Sequence, residues 1–160
     1  AYAVAGIAAA VVAGSQIVGG ASVSYVARYF KRRTTILLLG VGLSVTLLAL
    51  ISLATSFWVA IGLLVLWGLV GAATQPVRQA YLNGLIPSKQ RATLLSFDSL
   101  IGSSGGVVIQ PILGKIADFS GYSSSFFVGA VFQTLALPFL FLTRRQNSAA
   151  DRINDAKDPI

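Results

Sequence analysis

Apolar runs of bilayer length, each closed by polar turns or clusters of basic residues, constrain this chain more than any motif in it. A helix rising about 1.5 Å per residue needs roughly 20 apolar residues to cross a hydrocarbon core of about 30 Å. Five segments meet that requirement or approach it, at about residues 3–26, 35–54, 57–74, 92–116 and 126–142. In lipid every backbone polar group must be satisfied within the segment itself, so each run is expected to be a helix. The predicted fold class is an all-α membrane protein with five transmembrane helices. Residues 146–160 carry Asp151, Asp155 and Asp158, lack apolar periodicity and are expected to form a disordered cytosolic tail.

Composition agrees with a chain solvated by lipid. Hydrophobic residues make up 55% of 160 positions and charged residues 11%, against about 25% charged in soluble domains. A net charge of +7 does not point to nucleic acid, because the cations sit at span edges rather than on a polar face. The bilayer is the expected partner. The sequence has no cysteine and no histidine, and its acids are all aspartates. Thiolate and imidazole metal sites and Ser-His hydrolytic chemistry are therefore excluded, and neither a cofactor nor an enzymatic activity is expected. No Gly-x-x-x-x-Gly-Lys-Ser/Thr loop occurs, which gives no support for an ATP-driven pump. The chain contains no methionine and opens at Ala1 inside an apolar run, so it is expected to be a fragment of a longer protein.

Orientation follows from the excess of Lys and Arg on cytosolic loops. Arg28, Lys31, Arg32, Arg33, Arg78, Lys89, Arg91, Arg144 and Arg145 fall at one side of the five spans, against Lys115 at the other. The expected protein is a multi-pass one in the plasma (inner) membrane, with its carboxy terminus in the cytosol.

Polar residues inside a span need partners or water, and they mark candidate functional positions. Gln16 in the first span, and Ser99, Ser103 and Gln110 along one stripe of the fourth, are candidates to line a solute cavity. Asp98 is the one acid well inside a span, seven residues or roughly 10 Å beyond Arg91. An unpaired charge at the bilayer centre costs about 2.5–3.5 kcal/mol on insertion scales. Asp98 is therefore expected to be paired, hydrated or protonated, with Arg78 and Arg91 as partners by sequence. Its two roles are a fixed pair closing the cytosolic side, or a proton carrier that opens it. Gly6, Ala10 and Gly14 form a stripe of small residues suited to close helix contact, and Gly106 is expected to be another contact position. Pro111 and Pro138 should each bend their helices.

The order of these features resembles the carboxy-terminal half of a major facilitator superfamily transporter. The resemblance rests on a basic cluster after the first span, Gln75-Pro76-x-Arg78, Pro87-x-x-x-Arg91-Ala92 and a glycine-rich fourth span. Gly114-Lys115-Ile116-Ala117-Asp118-Phe119-Ser120-Gly121 is similar to that family's Gly-x-x-Ala-Asp-x-x-Gly loop signature, making Gly114, Asp118 and Gly121 its matching positions. Arg28, Lys31 and Arg32 fit the cationic positions of a second copy, but Ala27 and Phe30 replace its aspartate and glycine. The resemblance implies helices eight to twelve of a twelve-helix fold, a missing amino-terminal half, and alternating access carrying a small solute. The alternative is a non-catalytic multi-helix membrane subunit with a structural or assembly role.

Overall fold

The computed structural model describes residues 2–146 and 148–153. Its helices are α1 (Tyr2–Ala21), α2 (Val23–Tyr29), α3 (Arg33–Leu53), α4 (Phe57–Leu85), α5 (Arg91–Thr134) and α6 (Ala136–Arg145), with short 3₁₀ turns at Ser88–Gln90 and Ala149–Asp151. Three helical stretches, Arg33–Leu53, Phe57–Leu85 and Ser88–Arg145, are long and apolar enough to cross a membrane. The last is two helical arms rather than one. Gly121 interrupts α5 at φ 83° and ψ 163°, and the Ser125 hydroxyl donates to the Leu113 carbonyl at 2.9 Å. In a straight helix those residues would lie about 18 Å apart. The chain therefore folds back at Gly121, whose backbone occupies a region open essentially to glycine alone.

The other breaks also have local causes. At Ser22, between α1 and α2, the side chain bonds back to the carbonyls of Val18 and Gly19, a geometry that bends helices. Thr134 and Ala136 flank the break between α5 and α6, one turn before Pro138, whose ring crowds the carbonyl four residues back. Pro111, by contrast, lies inside α5 without ending it. α4 continues past Thr74 to Leu85, because polarity ends an apolar run without ending a helix: Gln75, Arg78 and Gln79 are adequate helix formers.

α3 is the hub. It buries Ile36, Leu37, Leu47, Leu48 and Ile51, while Ala130 is the buried residue that α5 contributes among those described. Val23, Ile36, Leu37 and Val77 form one apolar cluster, and Leu48, Ile51 and Ala130 a second. Exposed Phe57 and Trp58 pack edge to face, 5.5 Å between ring centroids, at the start of α4. The amphipathic indole of Trp58 suits the membrane–water boundary. At the basic end, Arg28 lies over Tyr25 and Arg145 over Phe141, at 5.8 and 5.1 Å.

Two expectations require correction. Among the described residues, a Cβ on Gly6 or Gly14 would meet nothing within 4 Å, and one on Gly106 would touch only Gln110 of its own helix. The close seam lies one face away. Ser15 and Gly19 of α1 approach Gly68, Leu69 and Ala72 of α4 so nearly that a Cβ on Gly19 would collide with the Leu69 carbonyl. In a helix made of Ala, Gly and Val on every side, several stripes are small enough to pack, and only the partner's shape selects one. The second correction concerns the tail: residues 148–153 are docked on α3 and α4, not disordered, through backbone hydrogen bonds and Asp151. The remainder of the expected tail, 154–160, lies outside the described residues.

Candidate functional site

Arg78 is the residue around which a site assembles. It stands on α4 just beyond the apolar run, and its guanidinium forms a salt bridge with Asp98 on α5 at 2.5 Å. Both groups are partly accessible, at 46% and 30%, so this pair is neither sealed in a core nor fully in water. Arg91 does not reach Asp98. Its Nη2 donates to the Asn83 carbonyl at 3.2 Å, tying the start of α5 to the end of α4. These two bonds hold the first arm of α5, residues 91–120, at its basic end, and the Gly121 reversal holds the other.

Between its ends that arm is bare. Phe97, Leu100, Ile101, Val107 and Val108 are all more than half exposed, and Ser99, Ser103 and Gln110 are exposed as well. A helix with serines and an amide on one stripe cannot lie wholly against lipid. Gln16, on α1, is likewise exposed. The structure therefore does not bring these four cavity candidates together within this chain.

A cavity of about 430 Å³ lies instead between α3, α4 and the α5–α6 junction. Its polar wall includes Ser44, Thr74, Gln75, Arg78, Gln133 and Thr143, set among apolar groups such as Leu37 and Trp67. That size falls within the roughly 300–1,000 Å³ typical of small-molecule pockets, and a mostly apolar wall with a few polar groups is their usual chemistry. Gln75 and Gln133 were legible by the rule that singles out Gln16, a polar amide within an apolar segment. What hid them was that their helices meet only through the reversal at Gly121.

Gly114 and Asp118 occupy the last turns before the reversal and are exposed, and Gly121 is the reversal itself. Of the basic cluster, Arg28 and Lys31 are exposed, Arg32 is partly covered and Arg33 is buried at 5%. Among the described residues, no group of acids or other ligands could hold a metal ion.

A comparison with protein-family models matches residues 1–159 to the Major Facilitator Superfamily. No curated protein and no solved structure matches the chain.

Proposed function

Because the chain belongs to the Major Facilitator Superfamily, we propose that it forms the carboxy-terminal half of a secondary active transporter, carrying a small solute by alternating access. One observation carries the site reading: Arg78 lines the cavity between α3, α4 and α6 and also holds Asp98 across to α5. A residue shared in this way links the state of the cavity to the attachment of a neighbouring helix. In this reading the Arg78–Asp98 pair closes the cytosolic side, and Arg91 supports it through Asn83. Protonation of Asp98 removes the charge that Arg78 grips and frees the first arm of α5 to move. The arm's exposed stripe of Ser99, Ser103 and Gln110, together with Gln16, lines the solute path once a complementary half covers it. The distribution of Lys and Arg supports basic ends that face the cytosol, here in the plasma membrane.

The test is Asp98→Asn in the intact transporter, assayed in vesicles with a radiolabelled solute panel first screened on the native protein. Accumulation driven by an imposed pH gradient should be lost, whereas downhill exchange should persist. Normal pH-driven accumulation in a well-folded variant would overturn the coupling role.

A further inference from the structure

The basic end of the bundle contains a second cluster that transport leaves unused. α3 begins badly: Lys31, Arg32 and Arg33 crowd its amino terminus, its first turn has no acid, and Arg32 at the cap position makes no side-chain capping bond. Helix amino termini carry unpaired N–H groups and a partial positive charge, so cations there are unfavourable and an anion is stabilising. The missing anion comes from 117 residues away, where Asp151 Oδ1 accepts the Thr34 backbone N–H at 2.7 Å. That is the bond a local capping aspartate would make. Asp151 and Thr34 are 3% and 0% exposed, so the bond is dry.

Two further contacts fix the same segment. The Arg33 guanidinium donates to the Ala150 carbonyl at 3.0 Å, and the Ile153 N–H donates to the Lys31 carbonyl at 3.2 Å, a bond that belongs to the antiparallel bridge at Arg32 and Arg152. Ile153 packs on the cluster of Val23, Ile36, Leu37 and Val77. On the α4 side, the bare backbone of Gly84 admits Ala150, whose Cβ would lie 3.0 Å from a Cβ at position 84.

We infer that residues 148–153 are an intramolecular clasp, in which Asp151 caps α3 in trans while Ala150 seats on Gly84 of α4. The clasp locks together the basic ends of α3 and α4. It thereby holds in place the part of α4 that carries Arg78, whatever the transported solute. Nothing in this inference depends on the transport reading.

Hydrogen exchange on the full chain in lipid nanodiscs tests it directly. Asp151→Ala should speed exchange at the Thr34 amide by about tenfold or more, since an exposed helix-terminal N–H has no other protection. Asp151→Asn, which keeps an oxygen acceptor, should return it close to the native rate, and Asp118→Ala, removing an exposed acid elsewhere, should leave it unchanged. Equal exchange in native protein and Asp151→Ala would overturn the clasp. A second measurement keeps Asp151 intact: with no native cysteine present, the double variant Gly84→Cys, Ala150→Cys should form a disulfide under mild oxidation, because disulfides need Cβ atoms about 3.5–4.5 Å apart and only a small relaxation is required. Failure to cross-link while both thiols remain reactive would overturn it as well.

Discussion

Individual glycines set how closely α1, α3 and α4 approach. A Cβ at Gly40 of α3 would overlap the Thr74 side chain, and one at Gly19 would meet backbone of α4, which cannot swing aside. Overpacking a tight contact costs typically 1–3 kcal/mol. Gly19→Leu and Gly40→Leu should therefore reduce thermal stability in detergent sharply, measured by fluorescence-detected size exclusion after heating. Gly14→Leu and Gly42→Leu, where a side chain meets open space, should resemble the native protein. Equal loss at all four positions would refute this seam. The sequence could say that small residues pack in membranes but not which ones, because Gly6, Ala10 and Gly14 obey the four-residue spacing as well as the true contacts do. Asp98 was more legible. An acid within an apolar run must find a partner, and Arg78 was one of two cations within reach, although the choice over Arg91 depends on where α4 ends.

At the scale of elements, the existence of apolar helices was readable because bilayer thickness dictates their length. Their ends were not, since Gln75 and Arg78 end the apolar run without ending the helix. The docked tail was unreadable for a different reason: a polar segment recognises α3 through main-chain bonds and one carboxylate, with no periodic pattern to betray it. Gly121 supplies the clearest test at this scale. Its φ of 83° with ψ of 163° costs a residue bearing Cβ about 1–3 kcal/mol. Gly121→Ala should lower the melting temperature. Gly114→Ala, within regular helix and with nothing within 4 Å of the added methyl, should be neutral or slightly stabilising, by up to about 1 kcal/mol. Ser125→Ala should fall between them, since it removes a single hydrogen bond to Leu113 worth about 0.5–1.5 kcal/mol. A Gly121→Ala variant as stable as Gly114→Ala would mean that the reversal does not require this backbone conformation.

Over the whole molecule, packing is lopsided. α3 is wrapped by α4, the second arm of α5 and α6, and the clasp closes its basic end, whereas among the described residues the first arm of α5 is anchored only near its ends. Its apolar residues could rest against lipid, but Ser99, Ser103 and Gln110 gain nothing there, because hydrocarbon offers their hydroxyls and amide no partner. The proposed complementary half would cover that stripe and convert it into the wall of an aqueous path. The chain reconstituted alone should accordingly show no saturable uptake of any solute the intact transporter carries, while co-expression with the proposed complementary half should restore it. Co-expression should also protect the stripe itself. Since this chain has no native thiol, cysteines at Ser99 and Ser103 should react rapidly with a small methanethiosulfonate reagent in the chain alone, and more slowly when a cysteine-free complementary half is present and solute saturates the site. A cysteine at Ser56, exposed at the opposite end from the Arg78–Asp98 pair, should be indifferent to both. Saturable flux through the chain alone would instead favour an assembly of several copies as the transporting unit. Unchanged labelling at Ser99 and Ser103 would place the solute path elsewhere, with the cavity beside Arg78, Gln75 and Gln133 as the next wall to probe.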